Sequence, residues 1–125
     1  MVKFEEFELG KTPREAEMKV IDGEIVEGRG GRKQLHLIMK PLDKEWKNQH
    51  EWYGFSTNKS SAFFEFTNRL IGLGVLKEKE VENAETLDDL AKLIIQKLTG
   101  KTFYWKEEKI GRKAGFAWVP VELKK

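Results

Sequence analysis

Cysteine is absent from this chain of 125 residues, so it has no disulfide framework, no thiolate zinc site and no cysteine nucleophile. Long apolar runs are absent too, since none approaches the roughly 20 residues that cross a bilayer. The N-terminal stretch MVKFEEFELGKTPRE is acidic and lacks the continuous apolar centre of a signal peptide. We therefore expect a cytoplasmic protein that does not associate with membranes.

A strong excess of one charge sign is also missing, because the formal net charge is only +2. The pronounced basicity typical of many nucleic-acid-binding domains is not found here. The charges are nevertheless segregated along the chain: residues 28–33 carry three cations and no anion. Residues 78–89 hold an acidic cluster made of Glu78, Glu80, Glu82, Glu85, Asp88 and Asp89. A local basic surface is therefore compatible with a nearly neutral chain.

Lysine and glutamate dominate the charged residues, while asparagine and glutamine are scarce. This balance is typical of proteins from hot-living organisms, and it predicts a thermophilic source.

One tripeptide occurs twice, as Gly31-Arg32-Lys33 and as Gly111-Arg112-Lys113. Each copy lies between two runs with strand-like alternation, so each is predicted to be the tip of a hairpin. We call them the first and the second basic tip. Glycine, arginine and lysine are also what an ordinary exposed turn uses for geometry and solubility, so either copy alone is weak evidence of function.

The chain is short enough for a single domain. Residues 1–14 have no sustained period and are predicted to form an N-terminal arm, and residues 15–125 the domain. Alternating hydrophobicity predicts three strands, then a helical insert at about 60–99, then two strands. In the insert, Ser60 or Ser61 and later Thr86 are candidate N-caps of two helices with apolar stripes.

This order, with helix between the third and fourth strands, resembles the OB-fold, a mainly β, five-stranded Greek-key barrel. The chain also resembles the small single-stranded-DNA-binding proteins of that fold found in phages and archaea. The resemblance covers roughly residues 15–123 and depends on element order and on the location of the tips. It implies that both tips flank one groove built on the second and third strands.

The resemblance further implies a function: binding of single-stranded nucleic acid, DNA in preference to RNA, in replication, recombination or repair. Cations would hold phosphates and aromatic rings would stack on bases. The candidate cations are Arg29, Arg32, Lys33, Lys40, Lys106, Arg112 and Lys113, with His36 bordering the groove. The candidate rings are Trp52, Tyr53, Tyr104 and Trp118.

Alternation divides these rings between core and surface. In the second strand Leu35, Leu37 and Met39 are expected inside and His36, Ile38 and Lys40 outside. In the fourth, Phe103 and Trp105 are expected inside, and Tyr104 and Lys106 outside. In the fifth, Ala117, Val119 and Val121 are expected inside, and Phe116 and Trp118 outside. Trp52 is favoured over Tyr53 as the outward ring of the third strand.

Other functions have less support in the sequence. The GRGG stretch lacks the Gly-Lys-Ser/Thr of a phosphate loop, and neither histidine has a partner at metal-ligand spacing, so no cofactor, metal or enzymatic activity is expected. A protein-interaction or assembly module is the alternative, because Phe64 adds apolar surface beyond one helix stripe. Partners would then be a second copy or a replication or repair protein. A small nuclease is a remote third option.

Overall fold

The computed structural model describes residues 13–125. The predicted N-terminal arm therefore lies outside the described residues, apart from Pro13 and Arg14. In the described part there are five strands and three α-helices; the strands and the helical insert follow the predicted order, with all three α-helices between the third and fourth strands. The strands are β1 (Glu15–Glu27), β2 (Lys33–Pro41), β3 (Gln49–Gly54), β4 (Thr102–Glu108) and β5 (Ala117–Lys124). The helices are α1 (Ala62–Gly72), α2 (Glu78–Asn83) and α3 (Leu87–Leu98).

Both predicted helix starts are confirmed. The Ser61 hydroxyl accepts a hydrogen bond from the Phe64 N–H at 3.1 Å, and the Thr86 hydroxyl accepts one from the Asp89 N–H at 3.1 Å. These bonds satisfy backbone donors that have no partner within their own helix. The short helix α2 was missed, because its six residues include no buried side chain and so leave no apolar stripe in the sequence.

Strand β1 is the central strand of the sheet and pairs with both of its neighbours. Residues 15–19 pair with β4 and residues 18–27 pair with β2, both antiparallel. The register shifts between Val20 and Asp22, so Ile21 is an extra residue. This β-bulge bends the strand and resets its alternation. Gly23 follows on the inner side, where a Cβ would lie 2.9 Å from Ile95, so the missing side chain lets α3 pack close to the sheet.

The core faces match the predicted alternation in β2 and β4. Leu35, Leu37 and Met39 are fully buried, and so are Phe103 and Trp105. The Trp105 indole N–H donates to the Met18 carbonyl at 3.0 Å, which satisfies the only polar atom of that side chain.

The sheet is open, with strand order β3-β2-β1-β4-β5. Because every neighbouring pair is antiparallel, the two edge strands β3 and β5 run parallel to each other. No backbone ladder joins them within residues 13–125, but side chains bridge the gap. The Glu51 carboxylate accepts from the Trp118 N–H at 2.7 Å, and the Tyr53 hydroxyl donates to the Trp118 carbonyl.

The expected orientation of Trp118 is wrong. Its side chain is only 2% exposed, whereas Ala117 and Val119 are buried as expected and Val121 and Phe116 are half-buried. Helix α1 packs against β5, while the Arg14 guanidinium lies 5.2 Å from the centre of the Trp118 ring. Both faces of β5 are therefore covered, and alternation of hydrophobicity cannot reveal which residues are exposed on such a strand.

Tyr53 provides a test of this edge-to-edge contact at alkaline pH. Burial raises the pKa of Tyr53 well above its usual value, whereas an unfolded tyrosine titrates near pH 10. The neutral phenol therefore makes its full contribution to the free energy of unfolding below about pH 10. Above pH 10 the free energy of unfolding falls with a slope of about 1.4 kcal/mol per pH unit. We expect Tyr53→Phe to remove this slope from the free energy of unfolding, measured by denaturant titration. Tyr104→Phe, at a half-exposed ring, should keep most of the slope; an equal loss in both variants would contradict the assignment.

Candidate functional site

The first basic tip connects β1 and β2 through a 3-10 turn at Arg29–Gly31. Gly30 and Gly31 adopt φ of 71° and 75°, a region that side chains rarely enter, which explains the paired glycines. Arg29 and Arg32 are exposed, and their side chains make no hydrogen bond or ion pair with the part of the chain described. Lys33 differs, because its ammonium lies 2.8 Å from the Asp88 carboxylate at the start of α3. This hydrogen bond raises the pKa of Lys33.

The second basic tip connects β4 and β5 and packs against the start of α1. Gly111 has φ of 53°, and a Cβ there would lie 2.2 Å from the Ala62 nitrogen. The Lys113 ammonium donates to the Trp52 carbonyl at 2.8 Å and lies 3.3 Å from a Glu51 carboxylate oxygen. Lys113 thus ties the tip to β3. Arg112 is exposed and has no hydrogen bond or ion pair within residues 13–125.

The tips border two adjoining clefts. One cleft of about 490 Å³ is lined by Gly28, Arg29, Gly30, Arg32 and Gln34. The other, of about 300 Å³, is lined by polar residues of the β3–α1 loop and by Gln34, Trp52, Arg112 and Lys113. Gln34 lines both clefts, so two tips that are 80 residues apart in sequence border one continuous surface. Sequence reasoning missed Gln34, because an isolated polar residue at a strand start carries no signal.

Three rings cluster on the outer face of β2 and β3. Trp52 is paired with His36 in the β2–β3 register, and the two rings stack with centres 4.6 Å apart and planes within 2°. His50, two residues before Trp52, also lies against it at 5.8 Å. Trp52 remains 40% exposed while His36 beneath it is only 9% exposed. Trp52 is therefore a flat, supported aromatic surface that solvent can reach.

The two histidines are bonded to each other. His36 Nε2 lies 2.8 Å from His50 Nδ1, and His36 Nδ1 lies 2.9 Å from a Glu24 carboxylate oxygen. The sequence showed no partner at metal-ligand spacing for either histidine. The two rings are fourteen residues apart, and the β2–β3 pairing brings them together. Within residues 13–125, no three His, Cys, Asp or Glu side chains come together as a group that could hold a metal ion.

Two predicted stacking rings lie in the interior. Tyr53 is fully buried, with its ring stacked on Phe66 at 4.3 Å between centres, and Trp118 is buried as described above. Neither ring presents a surface on which a base could stack. Of the two candidates in β3, the exposed one is Trp52, which the sequence favoured.

Tyr104 and Lys106 point outward as predicted, but they lie on β4, separated from β2 and β3 by β1. The Tyr104 hydroxyl donates a hydrogen bond to the Glu15 carboxylate, which raises the pKa of Tyr104, and the Lys106 ammonium lies 3.9 Å from the same carboxylate. Their surroundings are acidic. Lys40 is exposed at the far end of β2, where it pairs in register with Lys19.

The alternative based on Phe64 gains no support from exposure, because that side chain is half-buried. The exposed large apolar side chains in the described part of the chain are Ile21, Leu42 and Trp52. Among the helices described, none has the length and apolarity needed to cross a membrane. Comparison of the chain with protein-family models, curated proteins and solved structures finds no match.

Proposed function

We propose that this chain binds single-stranded nucleic acid, DNA in preference to RNA, without catalysing a reaction, and that it acts in replication, recombination or repair. The observation that carries the proposal is the surface between the tips. There, arginines from two sequence-distant turns, which have no ion-pair partner in the described part of the chain, flank an exposed indole that stacks on His36. A positive surface with an accessible aromatic ring is the combination by which proteins hold single strands without reading their sequence.

The finer fold proposal is a partly open OB-like barrel. An OB-fold is a five-stranded, partly open Greek-key barrel that binds oligonucleotides on its second and third strands between the first and last hairpin loops. The strand order, the helical insert after β3 and the side-chain bridges from Glu51 and Tyr53 to β5 support this reading. Both basic tips then occupy the loops that flank the binding surface in that fold.

Electrostatics favours a path of the nucleic-acid strand across β2 and β3 rather than across β1. Asp22 and Glu24 project from the outer face of β1 and would repel phosphates there. Within residues 13–125, Arg29, Arg32 and Arg112 have no carboxylate partner, so their donors are available to phosphate oxygens. Lys33 and Lys113 already bind groups of the protein itself, and they contribute less.

The test is a fluorescence-anisotropy titration of labelled oligo-dT, with oligo-rU as competitor, at about 50 and 200 mM salt. We expect Trp52→Ala to weaken binding by about 5- to 150-fold, the equivalent of the roughly 1–3 kcal/mol that one stacked base contributes. Trp52→Phe should recover much of the loss, because it retains a ring.

Leu42→Ala serves as the control, since it truncates another exposed apolar side chain, one that lies outside both clefts. Absence of binding by the unmodified protein at low salt would refute the proposal. Equal losses of affinity in Trp52→Ala and Leu42→Ala would mean that Trp52 is not part of the binding surface.

A further inference from the structure

A hydrogen-bonded chain of three titratable side chains crosses the outer face from β1 to β3. It runs from the Glu24 carboxylate to His36 Nδ1 at 2.9 Å, and from His36 Nε2 to His50 Nδ1 at 2.8 Å. His36 is nearly buried beneath Trp52, whereas His50 is exposed. This series of hydrogen bonds therefore begins at the Glu24 carboxylate and ends at the solvent-accessible imidazole of His50.

The bonding pattern determines which nitrogens carry hydrogen. An ionised carboxylate only accepts, so His36 Nδ1 must donate to Glu24. A neutral His36 then has a bare Nε2, which accepts from His50 Nδ1–H. His50 is left with a bare Nε2, the only free proton acceptor on either ring.

Proton uptake at His50 Nε2 breaks none of these bonds. His50 Nδ1–H still donates to His36, and His36 still donates to Glu24, so the protonated ring keeps the same position. Around His50, β1 contributes Asp22 and Glu24, β2 contributes Lys40, and the preceding loop contributes Lys47. Histidine is the side chain whose charge ordinarily changes between pH 5 and 8.

We infer that His50 is a phosphate-binding residue that acts only when protonated, with His36 and Glu24 as its positioning residues. This inference rests on the proposed function. His50 projects from the same face of β3 as Trp52, with ring centres 5.8 Å apart. A base stacked on Trp52 therefore brings its phosphate near His50, where the protonated Nε2–H donates to it.

The experiment measures oligo-dT affinity at constant ionic strength from pH 8 down to 5.5; thymine has no group that titrates in this range. Binding should tighten as pH falls, since the complex takes up a proton. One added phosphate contact should steepen the slope of log affinity against log salt by about 0.7, which corresponds to roughly 5- to 10-fold at 50 mM salt.

Three variants isolate the residues. His50→Gln should bind with the weak, high-pH affinity throughout, and His50→Lys should bind with the tight, low-pH affinity throughout, because its charge is permanent in this range. Glu24→Gln should reduce the tightening of binding at low pH, because a neutral amide holds His36, and through it His50, less firmly than a carboxylate does. Nitrogen NMR of the free protein at high pH should find the hydrogen of His50 on Nδ1; finding it on Nε2 would overturn the bonded chain.

A failure of the inference about His50 can be distinguished from a failure of the proposed function. Binding that is independent of pH, or a pH dependence that persists in His50→Gln, would overturn the role of His50 and leave the proposed function standing. An absence of binding at every pH would overturn the proposed function and with it the phosphate role.

Discussion

Replacing Arg29, Arg32 and Arg112 together with alanine is expected to weaken oligo-dT binding by roughly 10²- to 10³-fold at 50 mM salt. These arginines come from both basic tips, and the described part of the chain gives them no ion-pair partner. Each phosphate contact on a single strand contributes about 0.7 to the slope of log affinity against log salt, so losing three lowers the slope by about 2. Anisotropy titrations at several salt concentrations measure both quantities.

The control variant must lose the same net charge as the triple arginine variant. Lys79, Lys92 and Lys101 are exposed and unpaired within residues 13–125, and they lie on the helical insert or directly after it. Their triple replacement with alanine should leave the salt slope almost unchanged. A similar loss of affinity in both triple variants would mean that total charge, rather than the two tips, attracts the strand.

Gly111→Ala is expected to destabilise the fold by about 3 kcal/mol or more. Two costs add at this position. A φ of 53° is unfavourable for a residue with a side chain, and the new Cβ would lie 2.2 Å from the Ala62 nitrogen and 2.5 Å from the Ser61 carbonyl carbon. Because those atoms belong to the backbone, the loop or the start of α1 must move. Denaturant unfolding measures the change directly.

Gly30→Ala is the matched control. Gly30 has a similar φ of 71°, but a Cβ there would meet nothing within 4 Å. Its replacement should cost only the backbone term, about 1–2 kcal/mol. Equal destabilisation by the two substitutions would contradict the close contact between the second basic tip and α1.

Local patterns in the sequence account for much of this molecule. Alternation identified the inner faces of β2 and β4, because one face of each strand packs on the core and the other does not. Ser61 and Thr86 were identified as candidate caps because their hydroxyls act within three residues. The positive φ angles at Gly31 and Gly111 agree with the turns inferred from the repeated tripeptide.

The candidate site could not be predicted from local patterns, because it depends on contacts between segments that are distant in sequence. Lys33 binds Asp88 across 55 residues and Lys113 binds the Trp52 carbonyl across 61, so the cations of the two tips are not equally available. His36 and His50 meet only because β2 and β3 pair in one particular register. A one-residue slip would move His50 to the opposite face.

By itself, the sequence determined the order of the five strands, the location of the helical insert, the two capped helix starts and the basic turns, because each depends on neighbours within a few residues. Only the tertiary structure decided that Trp118 and Tyr53 are interior, that Trp52 is the supported outer ring and that Gln34 joins the two clefts. The physical reason is the meeting of edge strands β3 and β5. Glu51 and Tyr53 reach the Trp118 backbone there across 67 and 65 residues, beyond the range of any local periodicity.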